Sequence, residues 1–285
     1  MPYSPGAGSR AVTAPTFTQP EAGAVDLGQP GADENDAVAG ELAHIIRDAS
    51  TNAPRSRQSH IGPSEVGDTC DRKIAYKLLD WDKANTGNDP LASIIGTGFH
   101  GWAEEAFSRP ELGGRFIVEQ RLTIAPPLMP GGSCDLYDRL HDRVIDWKVV
   151  GDSVMRKYKS EGPRRKYVVQ ANVYGLGWEF LGYKPREVAL AFVPRTGYLS
   201  GLWVWKQPYD RQVALDALRR MYTIRDLIIA LDPEANPAMW SLIPADPGWD
   251  CKYCPYFKPR STDLSEGCPG NLPPKNPTTA QAKAA

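Results

Sequence analysis

The sequence predicts a mixed α/β fold in which a central sheet is flanked by helices. Three observations lead there. Apolar residues recur at helical spacing between residues 41 and 107. They alternate from residue 115 to 125, and residues 134–150 read as two strands around a turn. A helix, a strand pair and a second long helix then follow. At 285 residues the chain can bury one large core or two small ones. Its hydrophobic share of 41% and charged share of 24% place it among soluble globular proteins. The net charge of −1 excludes wholesale attraction to nucleic acid, so any such contact must come from a local patch.

The elements read in order as follows. Residues 1–38 are rich in Pro, Gly, Ala, Ser and Thr and are expected to be disordered, as is the tail over 271–285. Order is expected to begin near Glu41 with the short helix ELAHIIRDA. Ser64 could cap a second helix running to Leu79, with Cys70 on it or near its start. A third helix covers Leu91 to Phe107. RFIVEQRLTIA alternates like a strand, and CDLYDRLHDRVIDWKVV reads as two strands around a turn at Arg139–Asp142. A polar, basic stretch follows from Asp152 to Lys166, then a helix from Tyr167 to Leu181. EVALAFVPRTGYLSGLWVWK reads as a hairpin, and Tyr209 to Leu231 as a long helix. Residues 240–270, rich in Pro and Cys, promise little regular structure. No stretch approaches the roughly 20 apolar residues of a membrane span, and the N-terminus lacks the apolar core of a secretory signal. The expected location is the cytoplasm.

The central chemical signal is Asp135, Asp146 and Lys148. Asp146 and Lys148 are two apart on a strand and share a face. Asp135, on the preceding strand, can meet them across the hairpin. Two carboxylates offer the hard oxygen ligands that suit Mg²⁺ or Mn²⁺. A lysine beside them can offset charge on a reacting phosphorus. Asp-x-Lys alone is a common accident, but here it sits inside the apolar run VIDWKVV, where buried charge requires a reason.

Six segments in order then resemble the RecB-type nucleases of the PD-(D/E)xK superfamily, including the iron–sulfur nucleases of CRISPR adaptation and their phage-borne relatives. These are CDRKIAY from Cys70 to Tyr76, GTGFHGWAEE from Gly96 to Glu105, GSCD from Gly132 to Asp135, VIDWK from Val144 to Lys148, QANVY from Gln170 to Tyr174, and CKYC from Cys251 to Cys254 together with Cys268. The resemblance implies a restriction-endonuclease-like core over 39–270. It also implies His100, Asp135 and Asp146 as metal ligands, a ligand role for Trp147 through its backbone carbonyl, and Lys148 as the catalytic lysine. Gln170 and Tyr174 would lie near the scissile phosphate, and their i, i+4 spacing puts them on one helix face. Gly96, Gly98 and Gly101 around His100 are expected to let that helix pack closely. Glu104, one turn on, is either a partner of His100 or an exposed helix charge.

Five cysteines in a chain of this kind argue for metal ligation over disulfides. Cys251-x2-Cys254 has metal-binding spacing, and Cys268 lies close by. Cys134 would point away from Asp135 on its strand, so Cys70 is the expected fourth thiolate. Zinc and iron–sulfur centres both take four thiolates. The resemblance favours a 4Fe–4S cluster, with zinc as the alternative, pinning the two ends of the domain together. The Cys254–Cys268 spacing exceeds that family's, which an insertion over KPRSTDLSEG would explain.

Arg156, Lys157, Lys159, Arg164, Arg165 and Lys166, interleaved with Tyr158 and Tyr167, have the composition of a single-strand-binding surface. The expected function is a metal-dependent DNA nuclease acting as an exonuclease on single strands or ends. With no G-x-x-x-x-G-K-[ST] in the sequence, a helicase or recombination protein would be its partner. The alternatives are a catalytically silent DNA-binding or assembly protein of the same fold, and a zinc-binding interaction module.

Overall fold

The computed structural model describes residues 32–53, 60–87, 89–246 and 249–270. The chain divides into two compact units, residues 1–46 and 47–285. Helix α1, Ala32–Asn52, begins earlier than Glu41, so residues 32–38 are helical rather than disordered. Its five alanines with Glu34, Glu41 and Leu42 favour helix, against Gly40 and several Asp and Asn residues that do not. Residues 1–31 and 271–285 lie outside the described residues. Along α1, Val38, Leu42, Ile45 and Ile46 form an exposed apolar stripe.

The helix expected from Ser64 to Leu79 is two helices, α2 (Pro63–Val66) and α3 (Asp71–Leu78). The break falls at Gly67, where an added Cβ would lie 2.8 Å from the Lys166 carbonyl oxygen. Another segment passes too close there for any side chain. Cys70 immediately precedes α3. Helix α4 covers Leu91–Phe107, as expected.

Next come β1 (Phe116–Leu122), β2 (Gly132–Asp138), β3 (Arg143–Val150), α5 (Asp152–Glu161), α6 (Arg165–Phe180), β4 (Glu187–Pro194), β5 (Trp203–Pro208) and α7 (Arg211–Leu231). The basic stretch after β3 is thus a helix, α5, followed by the first turn of α6. The strands form one sheet in the order β1-β2-β3-β4-β5. β1–β2, β2–β3 and β4–β5 pair antiparallel, and β3–β4 pair parallel. A parallel pair needs a crossover connection, which α5 and α6 supply. The fold is therefore mixed α/β, with the central sheet flanked by helices.

Alternation along the strands sorts the core onto two faces. Tyr137, Val144, Val188, Leu190 and Phe192 join the larger cluster with Val173, Leu176 and Trp178 of α6 and with buried residues of α3 and α7. Leu136, Ile145, Trp147, Ala191 and Val193 form a smaller cluster with Ala103, Phe99 and Phe107 of α4. Gly96, Gly98 and Gly101 play no part in that packing: a Cβ at any of them would meet nothing within 4 Å. The expected close approach of α4 through its glycines does not occur.

The C-terminal segment, with short 3-10 turns at Pro237–Leu242 and Trp249–Tyr253, returns to α3. Buried Trp240 and Tyr256 stack on Tyr76 at ring separations of 4.1 and 4.9 Å. Arg72 donates to the Ile243 carbonyl oxygen, and the Trp81 indole donates to that of Ser265 at 2.7 Å. Among the described residues no helix is long and apolar enough to cross a membrane.

The β2–β3 turn is fixed by Asp138, which is buried. Its carboxylate accepts from Arg115 Nε and Nη2 at 2.8 and 2.7 Å and from the Leu140 amide at 3.1 Å, and it faces His141 Nδ1 at 2.7 Å. The Arg115 bonds, then that of His141, hold the Asp138 carboxyl well below the usual carboxylate range despite its burial. Stability from such a depressed group is complete above the unfolded value near 4 and is lost as pH falls towards the folded one. Asp138→Asn should therefore cost about 1–3 kcal/mol at pH 7. In urea unfolding series, that deficit should narrow as pH is lowered below about 4.

Candidate metal centre

Three elements converge at one end of the β2–β3 ladder. β2 and β3 are paired from Asp138↔Arg143 to Leu136↔Ile145, and the ladder stops there. The side chain of Asp135 spans the gap. Its Oδ2 accepts from the Trp147 amide at 2.7 Å, and its Oδ1 lies 3.2 Å from His100 Nδ1 on α4. Glu119 of β1 completes the group, with Oε1 4.0 Å from the same His100 nitrogen. Glu119 has φ 47°, a left-handed conformation that costs a residue with a side chain free energy and is found at functional positions.

His100, Glu119 and Asp135 each offer a ligand atom, all within 4.8 Å of one another. One imidazole and two carboxylates fit a hard divalent cation such as Mg²⁺ or Mn²⁺. The hydrogen bond to Asp135 leads the influences that raise the pKa of His100, as befits an imidazole facing carboxylates.

Asp146 and Lys148 sit beside this group on the cleft side of β3. Asp146 is 1% exposed, and burial pushes its carboxyl up. Its Oδ2 meets Lys148 Nζ as an ion pair, although without hydrogen-bond geometry. Lys148 Nζ also donates to Gln170 Oε1 of α6 at 3.1 Å and lies 4.9 Å from the centre of the Tyr167 ring. Gln170 and Tyr174 are both buried and line the same cleft, of about 820 Å³, as His100, Glu119, Asp135, Asp146 and Lys148. The sequence-derived set of His100, Asp135, Asp146, Lys148, Gln170 and Tyr174 is thus brought together. Glu104 lines the cleft too but is exposed and makes no hydrogen bond to His100. The carboxylates that reach His100 are Asp135 and Glu119. Sequence reasoning missed Glu119, which looked like an ordinary polar position in an alternating strand. Only the β1–β2 register, which sets it between the rungs Val118↔Leu136 and Gln120↔Cys134, brings it to Asp135.

The cysteine expectation is overturned. Cys70, Cys251, Cys254 and Cys268 are free thiols bordering a separate cavity of about 240 Å³. No three of their sulfur atoms come within 4.8 Å of one another, and among the described residues the group of that kind is His100, Glu119 and Asp135. Burial raises the Cys70 thiol and pushes Cys254 up to about 11. Neither the iron–sulfur cluster nor the zinc alternative is formed, and the resemblance to iron–sulfur nucleases does not extend to these residues. The pinning role expected of a cluster is filled by the stacking of Tyr76, Trp240 and Tyr256. Cys134, in the main core, accepts from the Trp178 indole at 3.3 Å.

The basic stretch is split between α5 and the start of α6. Arg164, Arg165, Lys166 and Lys157 border a shallow depression at the α5–α6 junction. Its aromatic component is not a base-stacking platform. Tyr158 is 3% exposed and packs on Phe192, and Tyr167 meets it edge-on.

No protein-family profile matches the chain, and no curated protein does. Among solved structures the chain is similar in part to an alkaline exonuclease, LHK-Exo, from Laribacter hongkongensis. The identity is 11% over 66% of this chain and 97% of that one, with a TM-score of 0.45. LHK-Exo in complex with dAMP gives 13% identity, 66% and 96% coverage and a TM-score of 0.45. A phage-related exonuclease from Haemophilus somnus 129PT gives 15% identity, 69% and 86% coverage and a TM-score of 0.36. These scores are low, and the chemistry of this chain rests on its own residues.

A site of this composition should bind Mn²⁺ and be stabilised by it. At 100 times the dissociation constant the gain should be about 2.7 kcal/mol. Glu119→Gln and Asp135→Asn should each weaken Mn²⁺ binding about tenfold or more in calorimetric titrations, while Cys268→Ala should leave it unchanged.

Proposed function

We propose that the chain is a divalent-cation-dependent DNA nuclease of the PD-(D/E)xK type, acting as an exonuclease on single strands or ends. One observation carries this reading: a His–Glu–Asp donor set lies next to a buried Asp-x-Lys pair whose lysine is aimed by a glutamine. A purely structural metal site would need no buried lysine beside it. The chemistry that a bound Mg²⁺ or Mn²⁺ supplies is polarisation of a phosphoryl oxygen and a lower pKa for the attacking water. His100, Glu119 and Asp135 would hold the ion, with Asp146 on its inner side. The Lys148 ammonium, oriented by Gln170, would stabilise charge building on the phosphorus and direct the water. Tyr174 and Gln170 form the wall against which the phosphodiester is held. The depression at the α5–α6 junction gives the rest of the strand a cationic path.

The test is digestion of end-labelled oligonucleotides with Mn²⁺ or Mg²⁺. Lys148→Gln should lower cleavage by roughly 10²–10³-fold, the scale for losing one transition-state donor, while Mn²⁺ binding persists. Wild-type protein that binds DNA and Mn²⁺ yet cleaves nothing would mark a silent binding protein instead.

The cationic path has its own test. Changing Arg164, Arg165 and Lys166 together to Ala should flatten the salt dependence of single-strand affinity by up to about two logarithmic units, at about 0.7 per phosphate contact. Cleavage should recover at high DNA concentration, as expected when binding rather than chemistry is lost.

A further inference from the structure

We propose that Arg121, with the Ser133 hydroxyl across the β1–β2 ladder, binds the phosphate one step along the strand from the one being cleaved. This deepens the nuclease reading and rests on it.

Arg121 lies in the same cleft as the metal-ligating group. It is exposed, and its guanidinium has no hydrogen-bond or ion-pair partner among the described residues. The other cations of the cleft are engaged: Lys148 by Asp146 and Gln170, and Lys77 by Glu65 at 3.5 Å. An arginine left unpaired within a cleft lined by carboxylates has its forked donors available for an anion brought from outside. A phosphodiester matches that fork.

The spacing supports the same assignment. Arg121 pairs with Ser133 on the ladder, two residues beyond Glu119 on β1 and two before Asp135 on β2. Two strand residues span about 7 Å, comparable with one phosphate repeat of an extended single strand. A strand whose scissile phosphate lies at Glu119 and Asp135 would thus set its neighbour at Arg121 and Ser133. Beyond Ser133 the cleft is closed by packed side chains: a Cβ on Gly132 would lie 2.9 Å from Pro63 Cδ and 3.4 Å from the Tyr174 hydroxyl oxygen.

Two measurements test this. The first is fluorescence anisotropy with a labelled oligothymidylate, with Ca²⁺ replacing Mn²⁺. Arg121→Gln should weaken binding about tenfold and flatten the salt slope by about 0.7. Arg121→Lys should restore the slope, since it keeps the charge, but not the full affinity. The second is cleavage mapping on oligonucleotides carrying one uncharged methylphosphonate linkage. In the wild type, a methylphosphonate next to the cleaved bond should suppress that cut. In Arg121→Gln the suppression should vanish, because the contact is already gone. An unchanged salt slope, or a suppression profile identical in both proteins, would overturn the proposal. Unaltered Mn²⁺ binding by Arg121→Gln shows that the variant is folded. If the wild type cleaves nothing, the nuclease reading fails, and the anisotropy series alone decides whether Arg121 holds a phosphate.

Discussion

The arrangement of this protein hinges on the carboxylate of Asp135. One of its oxygens takes the amide hydrogen of Trp147 where β2 and β3 part, and the other faces His100 on α4. A single side chain thereby ties two strands and a helix together. Without it, the Trp147 amide would be left without a partner beside the core, a cost of roughly 1–3 kcal/mol. The same bond fixes the carboxylate before any ligand arrives, so little ordering remains to be done when a cation binds.

Much of this could be read from the chain. The helix over Leu91–Phe107 and the turn at Arg139–Asp142 followed from local periodicity and turn chemistry. Asp135, Asp146 and Lys148 stood out because charge in an apolar strand is conspicuous. What stayed hidden was non-local. Glu119 becomes a neighbour of Asp135 only through the hairpin register. The break at Gly67 reflects the approach of α6, from a hundred residues away in sequence. The role of Tyr158 was misread because a tyrosine between cations looks the same whether it faces solvent or the core. The cysteines misled for a related reason: spacing along the chain suggests a ligand set, but ligation needs sulfur atoms within reach of a common ion.

The aromatic stack of Tyr76, Trp240 and Tyr256 shows how the C-terminal segment, poor in regular structure, is held without a metal. Stacked rings bury large areas at little entropic cost, and each pair adds a modest geometric preference. The hydrogen bonds from Arg72 and Trp81 to backbone carbonyls satisfy groups that no strand or helix serves. Because α3 carries this load, the stretches around Trp240 and Tyr256 are anchored to the helix layer rather than to the sheet that bears the cleft.

The parallel pairing of β3 with β4 has a further consequence, for synthesis. Every residue of the metal-ligating group, and Asp146 and Lys148 with them, precedes residue 151, but β3 pairs with β4 only once residues 187–194 have been made. Until then the apolar strand VIDWKVV is an open edge on the nascent chain. Such edges recruit other strands, and non-local pairing closes slowly. The intervening α5 and α6 are made before β4 and form locally, so they are available to pack on the sheet before its parallel pair closes.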